Sequence, residues 1–309
     1  MSIQNSQLSE RSKLGRQFLR SKIANDERYL GWLFLAPTVL ILLFVVIFPL
    51  VYSLRLSFTD FTFGMPAVNF VGVENYKNLL KDNYFWNGLK LTIVFVLGTT
   101  IISFVVGFAV ALLINKPFKW KGIIRTFTLL PMAVTPVVVG IIWLLLFMPD
   151  FSMINYLLSL IGIKGPEWLL APGWALVAVI VAYSWQWTPF FTLMLSAGLA
   201  SLPIEPYEAA SVDGATKFQL LRYMTIPLLR PIILLTLIIR IMDAFRVFDQ
   251  VFVMTAGGPG RSTQVLSFVI YLNGLTYRYL GYASAMSYVM IIILIVLAIV
   301  MVRLLRKVG

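Results

Sequence analysis

Cysteine and histidine are both missing from the 309 residues, and only 12% of them carry charge. Without cysteine there is no disulfide framework and no thiolate nucleophile. Without histidine the commonest general base, proton relay and metal ligand is gone, so neither a metal site nor a catalytic residue is expected. Acids are scarce beside bases, 13 Asp and Glu against 25 Lys and Arg, for a net charge of +12. In a soluble protein that excess would suggest nucleic acid. Here 60% of the residues are hydrophobic, too many for a soluble domain of ordinary make-up. The positive charge is therefore assigned to loops facing anionic lipid, with no nucleic-acid partner.

What is present is apolar sequence in long runs, enough for six spans of roughly 20 residues each. The first runs from Leu30 to Leu54, bracketed by Pro37 and Pro49, and is too long for a signal-peptide core. The second covers about 91–114. The third, 126–148, contains Pro131 and Pro136, which predict a kink. The fourth is 174–200, the fifth starts near Leu229, and the sixth covers 282–302. A short interfacial helix is expected at about 264–275, after the turn Thr255-Ala256-Gly257-Gly258-Pro259-Gly260. Residues 1–29 form a polar, basic tail and 303–309 a second one, leaving 30–302 as the membrane domain.

Charge sets the orientation. Lys116, Lys119, Lys121 and Arg125 follow the second span with no acid among them, and the tails add Arg11, Lys13, Arg16, Arg20, Lys22, Arg28, Arg303, Arg306 and Lys307. Put on one side together with the loop after the fourth span, these segments hold most of the Lys and Arg of the chain. The positive-inside rule then predicts six spans with both termini cytoplasmic.

One cytoplasmic loop, 201–228, interrupts the apolar pattern with small residues, charges and prolines. Pro203 and Pro206 suit a helix start. Ala210 with Gly214, and Ser211 with Ala215, are four apart and would share a helix side of little bulk, which another rigid body could approach. Gly214 is also a natural terminator or bend, and a second short helix, 216–223, would end before Ile226-Pro227. On spacing alone, an ordinary helical hairpin between two spans explains the loop equally well.

The residues themselves are more specific. The string EAASVDGATKFQLLRYMTIPLLRP resembles the EAA loop of bacterial ABC importer permeases, with Glu208, Ala209, Ala210, Asp213, Gly214, Ala215 and Pro227 on the pattern. The hydrophobic residue before Pro227 departs conservatively, being Ile226, with Met224 two before it. LAPTVLILLFVVIFPLVYSLRLSFTDF, NFVGVENYKNLLKDNYFW and FDQVFVMTAGGPG look like the carbohydrate-uptake branch, on the side of the maltose-type and glycerol-phosphate-type first permease. The resemblance implies an all-helical, six-span permease with the type I ABC importer fold, multi-pass in a bacterial or archaeal inner membrane. It implies that the loop is a coupling helix seated on a cytoplasmic ATPase, with Glu208 contacting the motor and Gly214 permitting the bend. The implied partners are a second homologous permease, two ATPase subunits and an extracytoplasmic solute-binding protein. No cofactor is expected in this chain, since ATP and Mg would be bound by the ATPase.

The substrate path is sought among polar residues inside the spans. Arg240, Asp243, Arg246 and Asp249 recur every three residues with alternating sign. Charges at membrane depth face protein or a water-filled cavity. Two readings stand: a self-neutralised ladder orienting the helix, or a polar face that, with Phe245, Phe248 and Phe252, holds a polyol. Gln186, between Trp185 and Trp187 and near Pro189, marks either a kinked cavity wall or aromatic helix packing. The segment Gly257 to Thr263 superficially resembles a phosphate-binding loop, but Thr255 stands where its first glycine belongs and Arg261 where its lysine does. These residues imply a sugar importer. A phosphorylated polyol such as glycerol phosphate, received by Arg240 and Arg246, and an ATP-independent secondary carrier are the alternatives.

Overall fold

The computed structural model describes residues 30–306 except Pro66, Pro117, Phe118, Asp150 and Phe151. The expected tail 1–29 and the last three residues lie outside the described residues. The chain divides into two compact units at Leu56/Ser57. The first contains α1 (Leu30–Leu56), two residues longer than expected and strongly apolar until Arg55 in its last turn.

A π-helical turn occupies Leu42–Ile47 of α1, immediately before Phe48-Pro49. A proline inside an ordinary helix collides with the carbonyl four residues back. The wide turn before Pro49 is seen in Phe48 N–H, which donates five residues back to Leu43 O.

The second unit is helical too. It comprises α2 (Glu74–Lys81), α3 (Asn83–Ile114), α4 (Lys121–Ala133), α5 (Pro136–Phe147), α6 (Met153–Leu160), α7 (Pro172–Ala200), α8 (Glu205–Val212), α9 (Lys217–Ala244), α10 (Asp249–Met254), α11 (Leu266–Thr276) and α12 (Leu280–Arg306). Among the described residues five helices, α1, α3, α7, α9 and α12, are long and apolar enough to cross a membrane, and the α4–α5 pair makes up to six if it is one span.

Helices α3 and α7 form the frame. Small residues let them meet: a Cβ at Gly107 would lie 2.6 Å from the Phe191 Cβ. Between them Ser184 Oγ donates to Thr99 Oγ1 at 3.1 Å, and Ser103 Oγ donates to the Ser184 carbonyl at 3.3 Å. In hydrocarbon such hydroxyls need a partner on the neighbouring helix. Packing around the frame makes a larger core with Phe95, Tyr183, Val251, Phe268 and Met286, and a smaller one with Phe191, Leu195 and Leu229.

The segment expected as a kinked third span is instead two helices separated by a sharp break. The axes of α4 and α5 differ by 99° across Val134-Thr135. Pro136 occupies the first turn of α5, where its missing N–H costs nothing. Pro131 stays inside α4. The carbonyl of Val134, released by the break, accepts from Gln186 Nε2 at 2.9 Å. Irregular backbone at this depth is tolerable when protein groups satisfy it.

Candidate functional site: a polar cleft and an exposed helical loop

Tyr183 and Trp187, four apart on α7, share a face and look across at the end of α9. There Arg240 Nη1 lies 2.7 Å from Asp243 Oδ2, and the same oxygen accepts from Tyr183 Oη at 3.0 Å. The Arg240 guanidinium lies 4.1 Å from the centre of the Trp187 ring and 5.4 Å from that of Tyr183. A buried cation is tolerable in this setting because a carboxylate and π faces replace its water. Arg240 is thus enclosed, whereas Asp243 keeps 41% of its side chain exposed. Arg246 is farther out, 3.9 Å from Asp243 Oδ1 and 65% exposed.

A cleft of about 330 Å³ opens beside these groups, walled by Tyr183, Trp187, Asp243, Arg246, Phe248 and Asp249. Gln250 and Pro136 close its floor. Trp187 Nε1 is buried without a hydrogen-bond partner among the described residues. Such a donor is normally satisfied.

The structure divides the charged series expected to run along one helix. Helix α9 stops at Ala244, a turn intervenes, and Asp249 opens α10. Asp249 therefore belongs to a different helix from the Arg240–Asp243 pair, lines the same cleft and forms no ion pair with Arg246 among the described residues. Arg240 supports Asp243 from behind and does not line the cleft. Two further candidates belong to the packing. Phe245 is 5% exposed within the larger core. Gln186 is 1% exposed, donates to Val134 O and accepts from Gln250 Nε2 at 2.7 Å, so it fastens α7 to the α4–α5 break and to α10. Tyr183 was missed in the sequence; its spacing to Trp187 was the available signal.

The loop between α7 and α9 has a different character. Helix α8 carries Glu208 and Ala209 exposed, and among its described residues none is buried. It ends in a Schellman arrangement: Ala215 N–H donates to Ala210 O at 3.0 Å and Gly214 N–H to Ser211 O at 3.2 Å. Gly214 adopts φ +81°, a left-handed conformation that favours glycine. Because the helix ends at Val212, Gly214 and Ala215 do not extend a bulk-free face of Ala210 and Ser211. The chain turns there instead.

Thr216 then caps α9 in a reciprocal box with Gln219. The expected short helix does not stop before Pro227 but continues into the span. A π-helical turn at Leu221–Thr225 precedes Ile226-Pro227, as the one in α1 precedes Pro49. The Tyr207 hydroxyl meets Thr225 Oγ1 at 3.1 Å and ties α8 to α9. Asp213, Gly214, Ala215, Gln219 and Tyr223 line a surface groove of about 340 Å³. Around it Ile204, Val212, Phe218 and Tyr223 expose large apolar side chains, Val212 to 88%.

Comparison with known proteins fits this geometry. Residues 103–308 match the family model described as "Binding-protein-dependent transport system inner membrane component". The chain is 35% identical to the trehalose/maltose transport system permease protein MalF of Thermococcus litoralis, over 82% of this chain and 86% of the relative. It is also 35% identical to the sulfoquinovosyl glycerol transport system permease protein SmoG of Agrobacterium fabrum, over 91% of each. The fold is shared with a chain of the bacterial alginate ABC transporter in complex with an alginate pentasaccharide-bound periplasmic protein. That match has TM-score 0.79 and 22% identity, over 92% of this chain and 96% of that one. The polar cleft, the exposed loop and these matches together make the chain a member of the binding-protein-dependent transport system inner membrane component family.

Proposed function

We propose that this chain is a permease subunit of an ATP-driven, binding-protein-dependent sugar importer and that the cleft at Asp243 is part of its path. The observation that carries the reading is the composition of the cleft. Asp243, Asp249 and Arg246 offer charged hydrogen-bonding groups, and Tyr183, Trp187 and Phe248 supply rings. A sugar presents hydroxyls to the first set and a C–H face to the second. Relatives named for trehalose, maltose and sulfoquinovosyl glycerol transport support the same class. With Arg240 and Arg246 both paired to Asp243, at 2.7 and 3.9 Å, a phosphate would have to compete with that carboxylate for either guanidinium.

The loop around α8 is the joint with a separate ATPase. Its exposed apolar residues and groove ask for a partner surface, and its rigid Schellman end transmits a push into α9 without a flexible link. Both termini are cytoplasmic, the third span is the broken α4–α5 pair, and the second permease, two ATPases and a solute-binding protein complete the assembly. ATP and Mg belong to the ATPases. Closure of the motor tilts the spans and exchanges access between the two sides.

Sugar uptake into proteoliposomes carrying the assembled transporter tests this. Asp243→Asn and Arg246→Gln should each lower uptake of the sugar its binding protein recognises, with ATPase docking unchanged. Wild-type uptake rate and sugar range in both variants would overturn the role of the cleft.

A further inference from the structure

Away from the cleft, α3, α4 and α7 leave a groove that changes character along its length. At the end near α8 it is a cavity of about 180 Å³, lined by Asn115, Arg125, Thr128 and Ser196 among others. It continues past Thr128, which lines both parts, into a pocket of about 400 Å³ walled by Ile102, Val106, Phe127, Trp143 and Trp185. One end is polar and cationic, and the other is apolar.

The polar end has unused capacity. Ser196 Oγ is buried without a hydrogen-bond partner among the described residues. Arg125 is exposed and forms no ion pair among them. The chain holds no Asp or Glu from Asn83 to Pro149, whereas Lys116 and Lys119 lie exposed just before α4. Charge therefore selects an anion there.

The length of the groove selects the rest of the ligand. From Ser196 to Trp185 α7 rises about 16 Å at 1.5 Å per residue. That is about the ~15 Å depth of one leaflet's hydrocarbon. A water-soluble anion would leave the apolar continuation empty.

We propose that this groove is a binding site for an anionic phospholipid. Its phosphate sits against Arg125 at the end lined by Asn115, Thr128 and Ser196, and one acyl chain runs along Val106, Phe127 and Ile102 toward Trp185. Basic pockets between spans are suited to such headgroups. The lipid fills the seam of α3, α4 and α7 just before α7 enters the loop to α8. The site rests on the chain being membrane-embedded and not on the identity of the transported sugar.

The assembled transporter in nanodiscs of phosphatidylglycerol or of phosphatidylcholine, followed by native mass spectrometry, tests the site. Phosphatidylglycerol should be retained through detergent extraction and phosphatidylcholine should not. Arg125→Gln should lower retention about tenfold, the scale of one lost charge-assisted contact. Ile102→Trp, which fills the apolar end, should lower it as well. Should Arg125→Gln fail to assemble, a photo-crosslinking residue at Thr128 in the otherwise wild-type chain gives the same answer by labelling lipid. Equal retention in the wild type and Ile102→Trp, or crosslinks from Thr128 to a protein subunit alone, would overturn the proposal. Sugar uptake is not part of the readout, so failure here and failure of the cleft are separable.

Discussion

Arg240 and Asp243 are 2.7 Å apart on one helix, yet Arg240 has 5% of its side chain exposed and Asp243 has 41%. The pair is a buried support holding a wet carboxylate at the cleft. Removing the support and removing the charge it supports should therefore have different consequences.

Arg240→Met leaves Asp243 with only the more distant Arg246 as cation and the Trp187 ring without its guanidinium. We expect a loss of about 2 kcal/mol, below the range for a fully buried pair because the carboxylate is partly wet. Thermal unfolding of the purified assembly should fall with it. Asp243→Asn keeps an oxygen for Tyr183 but leaves the buried Arg240 without its counter-charge, so it should cost at least as much stability and lower transport as well.

Gly214→Ala forces a Cβ into the left-handed conformation at φ +81° and should cost about 1 kcal/mol at the end of α8. Gly214→Asn should be milder, because asparagine tolerates that region. Sugar-stimulated ATP hydrolysis should fall in the order glycine, asparagine, alanine, with membrane insertion unchanged by immunoblot. Equal coupling in all three would remove the loop geometry from the mechanism.

Val212→Asp places a charge on a side chain that is 88% exposed at the tip of α8. Nothing within the chain should suffer. Co-purification of the ATPase should drop about tenfold, as expected when a buried interface residue becomes an unpaired charge.

Gln186→Leu orphans both the Val134 carbonyl and the Gln250 amide. A loss of about 2 kcal/mol in stability is expected, since each abandoned buried group retains its desolvation cost. The double variant Gln186→Leu, Gln250→Leu should be less destabilised than the sum of the singles, which a double-mutant cycle measures.

Gly107→Ala brings a methyl to 2.6 Å from the Phe191 Cβ and close to the Thr188 carbonyl. Helices α3 and α7 must separate, at a cost of about 1–3 kcal/mol. The melting temperature of the assembly should fall, and Phe191→Leu should not restore it, because the Phe191 Cβ and the backbone remain in place.

Apolar run length and chain-local turn chemistry carried much of this protein in its sequence. Five of the long helices, the short apolar α11 and the interruption at Glu208 to Pro227 follow from hydropathy and from glycine and proline placement, which act within a few residues. Gly214 is a terminator in the sequence and in the structure for one reason, a backbone conformation that side chains disfavour. The tertiary structure decided what depends on neighbours distant in the chain. It turned a proline kink into a 99° break, because Gln186 of α7 was there to accept the burden of the Val134 carbonyl. It also separated four charges of regular spacing into a buried Arg240, an exposed Asp243 and Arg246, and an Asp249 on another helix. Period-three spacing describes one continuous helix, and only the packing of α7 and α10 determines where that helix ends and which charge meets water.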